Sequence, residues 1–465
     1  MSKQINIPTL RFPEFKGQWE RKKLGEVAEF KAGYAFKSEA MLSEKSNYQL
    51  LKMSNVYQSE LRLDRNPSYW ENINEKQKEF ILKKGDSILT LTGTVGKRDY
   101  GYSIMITEDD KYLLNQRLVL LREKKGKSEN GFINHILSNE RFLFYFFGEA
   151  KGGTGNQTNV GTEDVKNIEL SFPTLPEQTK IASFLTAVDE KLQALKKKKG
   201  LLENYKKGVM QRLLSESGFS GNCLNQDEKD LRMNRIFENE EEENPEILKS
   251  KRCDGSQSRF RQKDGKPFPD WEMKKLGEIG TFQTSSIDKL TKDNEKEVYL
   301  VNYMNVYRHE NINNESIKAF QIVTAKDNQI KSCNLRKGDI LFTPSSETPD
   351  DIGHSVVIFE DIENAVFSYH LMRFRPNIEI DILYSHYFCN IPDVLKQLTK
   401  LATGSTRFTI SVSSFSSIIV NLPCLAEQTK IANFLSAIDE KIKYNNTQIR
   451  NTETWKKGLL QKMFV

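Results

Sequence analysis

Two stretches of this chain space their apolar residues in alternating steps of four and three. In the first, Ile181, Leu185, Val188, Leu192, Leu195, Leu202, Tyr205, Val209 and Leu213 keep this phase, with one step of seven that passes over Lys199. In the second, Ile431, Leu435, Ile438, Ile442, Ile449, Leu459 and Met463 keep it, with Asn445 and Thr452 at seam positions. A seam sustained over about 35 residues predicts a long helix of roughly 50–55 Å, at ~1.5 Å per residue. Pro173 and Pro176 precede the first stretch and Pro423 the second, which suits helix starts. The two helices either pack on each other or each serve the core of its own domain. Equal length and shared phase favour mutual packing, and the chain between them is long enough to let them run antiparallel.

The stretches are related by an internal duplication. EQTKIASFLTAVDEK at 177–191 recurs as EQTKIANFLSAIDEK at 427–441, with twelve of fifteen positions identical. YKKGVMQRLL at 205–214 answers WKKGLLQKMF at 455–464, and QWERKKLGEV at 18–27 answers DWEMKKLGEI at 270–279. Solenoid repeats run to 20–50 residues, so a period near 250 means two domain-plus-helix modules.

Between the helices the pattern is mixed. DSILTLTG (86–93), RLVLLRE (117–123), DILFTP (339–344) and HSVVIFE (354–360) read as strands, and 133–147 and 382–400 as helices. The expected fold is α+β: two mixed α/β domains, at 1–172 and 263–422, and two long antiparallel helices, at 173–215 and 423–465, forming a coiled coil with pseudo-twofold repetition. Residues 216–262 carry FENEEEENPE and other polar runs and read as a linker.

The bodies share a frame, KKGDSIL (83–89) against RKGDILF (336–342) and MSNVY (53–57) against YMNVY (303–307). Their loops differ, LTGTVGKRDYGYS (91–103) against TPSSETPDDIGHSVV (343–357). A common scaffold with unlike loops suits two reading heads for two targets.

Composition narrows the classes. The net charge of +6 over 69 basic and 63 acidic residues permits nucleic-acid binding without requiring it. No apolar run approaches a membrane span, and MSKQINIPTL is no signal peptide, which points to a soluble cytoplasmic protein. The five cysteines form no CxxC and the five histidines no HxxxH, so a resident metal is not expected.

Catalytic motifs are equally absent. GTVGK (93–97) lacks the first glycine of a phosphate loop, and Arg98 stands where a magnesium-binding hydroxyl belongs. NPSYW (66–70) departs from a methyltransferase loop at Ser68, and PDWEMK (269–274) is too tight for a nuclease site. The aromatic run FLFYFF (142–147) sits at helical spacing, as core residues do, rather than as a base-stacking platform.

LPTLPEQTKIASFL and NLPCLAEQTKIANFL, each followed by DEK and a KKG tail, resemble the specificity subunit of type I restriction-modification systems. KAGYAFKS (31–38), GDSILTLTGTVGK (85–97) and GDILFTPSSETPDDIG (338–353) strengthen the resemblance, which covers nearly the whole chain outside 216–262. It implies two target-recognition domains, each reading half of an asymmetric bipartite DNA site, with paired helices as spacer. It implies a non-catalytic chain that docks two modification (methyltransferase) subunits, with restriction subunits in the larger complex. No cofactor is expected on this chain, since S-adenosylmethionine would sit on the methyltransferase partners. A tandem DNA-binding regulator without enzyme partners would share the same heads.

Base edges are read by Arg or Lys at guanine and Asn or Gln at adenine. In the first domain this selects Lys97 and Arg98, then Asn156, Gln157 and Asn159, then Lys31, Tyr34 and Lys37. In the second it selects Ser405, Thr406 and Arg407, with Ser345, Ser346 and His354. Each of these glycine-rich loops could equally cap a helix or turn a strand.

Overall fold

The computed structural model describes residues 6–57, 60–152, 156–214 and 260–465. The linker expected at 216–262 lies outside them, except for its last three residues. By its contacts the chain divides into two compact units, Met1–Lys197 with Asn446–Val465, and Lys198–Asn445. Sequence boundaries at 172/173 and 422/423 separate domain from helix, whereas this division runs through both long helices, Leu175–Leu214 and Leu425–Met463. The reason lies in what each helix buries.

In the first unit Ile181, Leu185 and Val188 share a core with Leu459, Met463 and Phe464 from the end of the second helix. Phe184 meets the Trp455 ring edge-on, Lys456 pairs with Asp189 at 2.5 Å, and Lys196 pairs with Glu453 at 3.0 Å. As one number rises the other falls, so the segments run antiparallel. In the second unit Ile431, Leu435 and Ile438 share a core with Val209 and Leu214, and Lys206 pairs with Asp439 at 2.6 Å. The pairs Asp189–Lys456 and Asp439–Lys206 are the same contact with the partners exchanged at the 250-residue offset, as a pseudo-twofold repeat requires. The seam is not uniform. Leu192 and Ile442 are only half-buried, Asn445 and Thr452 are buried, and half-buried Lys199 turns to Glu203.

Each unit is built round a four-stranded antiparallel sheet. The first orders Ala28–Ala32, Leu118–Glu123, Ser87–Thr90 and Ser103–Met105; the second orders Gly280–Thr284, Met372–Pro376, Ile340–Phe342 and Ser355–Val357. Central strands are apolar on both faces because both faces are covered. Val119 and Leu121 enter the core shared with the helices, while Leu118 and Leu120 enter a second cluster with Leu51 and Leu114. Ile340 and Phe342 divide from Leu341 in the same way.

The repeated KGD turn explains itself here. Gly85 and Gly338 take φ of +91° and +87°, where a side chain is strained. The following aspartates are buried and clamped by a neighbouring strand, Asp86 by Arg122 at 2.7 and 2.8 Å and Asp339 by Arg375 at 2.6 and 2.7 Å. Both carboxylates also close the turn, accepting from Lys83 N and Arg336 N.

The repeated EQ at each long helix start is likewise structural. Gln178 donates to Pro173 O and accepts from Glu129 N; Gln428 donates to Pro423 O and accepts from Asp381 N. Glu177 is buried under Arg11 and Trp19, and Glu427 under Trp271. Each long helix is thereby fastened to its domain through its first turn.

Both expected helical segments break in two. Asn139 stops the first and caps Glu140–Gly148 by accepting from Arg141 N, and Pro392 opens Pro392–Leu401 after Ile382–Phe388. Within the aromatic run Phe142 and Phe146 are fully buried and Phe144 is exposed, so the run is core on one face.

Truncating Leu185, which is fully buried where both helices meet the first core, should lower unfolding free energy by about 2–5 kcal/mol. Chemical denaturation measures this. A loss below about 0.5 kcal/mol would mean that the seam does not carry the core.

Candidate nucleic-acid interface

A small sheet in each unit gathers most of the sequence-selected residues. In the first unit Thr92–Thr94 pairs with Gln157–Asn159, which pairs in turn with Lys151–Gly152. The turn after Thr94 carries Lys97 and Arg98, so these lie beside Asn156, Gln157 and Asn159, with Val95 N donating to Asn156 O. Thr92 donates to Asn159 Oδ1 at 3.1 Å. Asp99 closes the turn by accepting from both the amide and the hydroxyl of Thr94, and these bonds hold its carboxyl below the usual range against a desolvation that opposes them. Gly93 has no room for a side chain, since a Cβ would lie 2.2 Å from the Tyr100 ring.

Arg98 lies over the Phe147 ring at 5.0 Å. Among the described residues no ion pair within 4.0 Å involves Lys97, Arg98 or Arg62. Exposed Lys97 and Arg98, with half-buried Arg62, suit an anionic ligand.

Lys31, Tyr34 and Lys37 lie elsewhere on the unit. Lys31 pairs with Glu79 at 2.7 Å and sits over Phe80, and Tyr34 packs on Phe36 and Phe80. Lys37 is exposed before the turn Ser38–Ala40. No contact joins these three to the 92–98 or 156–159 segments.

The second unit repeats the arrangement with different residues. Ser345–Ser346 pairs with Phe408–Thr409, and Ile410 N donates to Pro344 O as Val160 N does to Leu91 O. By that pattern Arg407 stands where Gln157 stands. Ser345 and Ser346 are buried, so they support the loop, and Ser345 Oγ accepts from Arg407 Nη2 at 3.1 Å. Ser405, Thr406 and Arg407 are exposed, and no described carboxylate pairs with Arg407. Gly404, at φ +145°, lets the loop close, since a Cβ there would lie 2.1 Å from Arg407 O.

His354 belongs to a polar aromatic cluster that sequence reasoning did not find. Tyr307 packs on the His354 ring at 4.6 Å, Tyr303 stacks on Tyr307, and Tyr303 OH donates to Ser345 O. The first unit has its own pair, Tyr57 against Tyr102 at 5.3 Å, with Arg62 over Tyr57 at 4.3 Å. The signal was available: MSNVY and YMNVY end on these two tyrosines.

Among the described residues no group of three or more histidine, cysteine, aspartate or glutamate side chains could hold a metal ion. No helix among them is long and apolar enough to cross a membrane.

Residues 16–204 and again 269–453 match the type I restriction modification DNA specificity domain. The chain belongs to that specificity family. Two copies of the domain account for the duplication and for the paired sheets. A relative named as the MjaX specificity subunit of a type I restriction enzyme, from Methanocaldococcus jannaschii, is 22% identical over 474 residues, covering 98% of this chain and 95% of the relative. The MjaVIII specificity subunit from the same organism is 27% identical over 212 residues, 43% of this chain and 47% of that one. The crystal structure of a type I restriction-modification S subunit from M. genitalium superposes with a TM-score of 0.55 at 16% identity, over 99% of both chains, and so shares the fold.

In this specificity chain, Gly404→Val should force the 403–409 turn open. Amide exchange at Thr403 and Thr409, which now bond each other, should rise about tenfold or more. Unchanged protection would show that the glycine is not what holds Arg407 in place.

Proposed function

We propose that this chain is the non-catalytic DNA-specificity subunit of a type I restriction-modification complex, each unit reading one half of an asymmetric bipartite site. The observation that carries this reading is the pair of small sheets. They share a strand pairing and the bond that follows it, Val160 N to Leu91 O and Ile410 N to Pro344 O, yet present Gln157 with Lys97 and Arg98 in one unit and Arg407 with Thr406 in the other. Amide side chains suit adenine and guanidinium suits guanine, so the same scaffold addresses unlike half-sites. Lys97 and Arg62 supply phosphate contacts that position without discriminating.

The long helices, each unbroken over 40 and 39 residues, serve as the spacer that fixes the gap between half-sites. The duplicated surface accommodates two modification subunits, which carry S-adenosylmethionine and the methyl transfer, and restriction subunits join the larger assembly. A cytoplasmic location follows from that role.

Mapping methylated positions in cells that express the chain with its modification partner identifies the target. Arg407→Ala should weaken or relax one half only, by about 10–200-fold in discrimination at one base pair. Equal loss at both halves would contradict separate reading. Inserting four residues after Ala194 should lengthen or shorten the unread gap while both half-sites persist, because one helical turn shifts the register by about 5.4 Å. An unchanged gap would remove the spacer role.

A further inference from the structure

Strand pairing puts one buried hydroxyl at the same place in each small sheet. Thr90 N donates to Tyr102 O as Thr343 N does to His354 O, and Val160 N donates to Leu91 O as Ile410 N does to Pro344 O. These bonds align 90–92 with 343–345, so Thr92 and Ser345 are equivalent, and both are buried. Thr92 lies opposite Asn159, and Ser345 opposite Thr409. Side chains alternate faces along a strand, so Gln157 and Asn159 share a face with Thr92. Arg407, two residues before Thr409, reaches the face of Ser345 in the same way.

On that face each hydroxyl touches an exposed candidate reader. Thr92 Oγ1 lies 3.1 Å from Asn159 Oδ1, directly across the pair. Arg407 Nη2 donates to Ser345 Oγ at 3.1 Å from the diagonal position, which a long side chain can span. A guanidinium only donates, so the direction of this second bond is fixed. A hydroxyl both donates and accepts, so one kind of group serves an amide in the first unit and a guanidinium in the second.

The scaffold arginines are held differently. Arg122 and Arg375 are clamped by the carboxylates of Asp86 and Asp339, which neutralise them. A carboxylate beside Arg407 would hold it as well, but would cancel the charge that a guanine edge or a phosphate attracts. Ser345 orients without neutralising. Its own carbonyl is fixed by Tyr303 OH, which donates to Ser345 O at 3.0 Å while the Tyr303 ring stacks on Tyr307. By the repeat of MSNVY as YMNVY, the first unit has Met53 where Tyr303 stands, so this brace is particular to the second unit.

We propose that Thr92 and Ser345 are positioning residues for base reading, Thr92 acting through Asn159 and Ser345 through Arg407, with Tyr303 bracing Ser345. The proposal rests on the DNA-reading function above. Each hydroxyl removes rotamers that its reader would otherwise sample, and an oriented donor discriminates between bases where a free one only attracts. Asn159 and Arg407 are exposed, so water replaces the bond when the hydroxyl is removed. Folding is then spared while fidelity falls.

The test uses the full chain and duplexes carrying the mapped target with single-base substitutions in either half, followed by fluorescence anisotropy. Ser345→Ala should lower discrimination at one base pair of the second half about 3–10-fold, the scale of one hydrogen bond, and leave the first half unchanged. Thr92→Val should do the same in the first half only. Ser345→Thr and Thr92→Ser, which keep the hydroxyl, should retain the discrimination. In an Arg407→Ala chain, Ser345→Ala should cost nothing further, because both act through one side chain. Ser345→Asp should weaken second-half binding at least as much as Ser345→Ala does. Urea midpoints of the Ser345→Ala and Thr92→Val chains should match the parent's.

Unchanged discrimination in Ser345→Ala, or losses that add to those of Arg407→Ala, would overturn the positioning role and leave the DNA-reading function standing. So would a lowered midpoint with equal loss at every base pair, which would assign the hydroxyls to folding. A parent chain indifferent to every substitution in the second half would instead sink the DNA-reading function, and the positioning role with it.

Discussion

Neither core in this protein is complete without the closing turns of a helix that begins in the other unit. A helix with one apolar stripe cannot leave that stripe in water, and an exposed seam of this length would cost several kcal/mol at ~25 cal/mol per Å². The chain satisfies the requirement twice. Leu459, Met463 and Phe464 fill the first core beside Ile181 and Leu185, and Val209 and Leu214 fill the second beside Ile431 and Leu435. The duplicated ion pairs Asp189–Lys456 and Asp439–Lys206 flank these contacts and fix their direction and register. Truncating either helix would therefore damage a domain distant from it in sequence.

On that frame the polar contacts divide into two kinds. The Asp86–Arg122 and Asp339–Arg375 clamps, and the Gln178 and Gln428 anchors, are the same in both units, and their aspartates and glutamines are buried, as scaffold contacts should be. At the small sheets the backbone pattern is kept while the exposed side chain changes, Gln157 to Arg407. A protein that needs one geometry and two chemistries places variation where packing does not restrict it.

Much of this could be read from residues alone. The helices, their starts, the two-module organisation and the strands at 87–90, 118–123 and 340–342 follow from periodicity and duplication. Two features hid from it. The EQ and KGD repeats were legible as duplicated frame but not in their role, because a one-dimensional pattern does not show that Glu177, Gln178 and Asp86 are buried against distant partners. The repeated Asn-Val-Tyr marks Tyr307, but its contact with the distant His354 ring is not legible from spacing. Lys97 and Arg98, and Asn156, Gln157 and Asn159, were selected from two separate glycine-marked loops, and only the strand pairing of 92–94 with 157–159 brings them together. Ser345 and Ser346 were expected to read bases but lie buried in a strand whose pairing spans more than 60 positions, with Ser345 beneath Arg407.

Exchanging the variable segments between the units is the most direct test of one scaffold serving two readers. In a chain whose residues 345–354 and 403–410 are replaced by 92–102 and 151–160, methylation mapping should return a target altered in one half only, and altered toward the sequence of the other half. A folded exchange chain that still methylates the original asymmetric site would place recognition elsewhere and contradict the account.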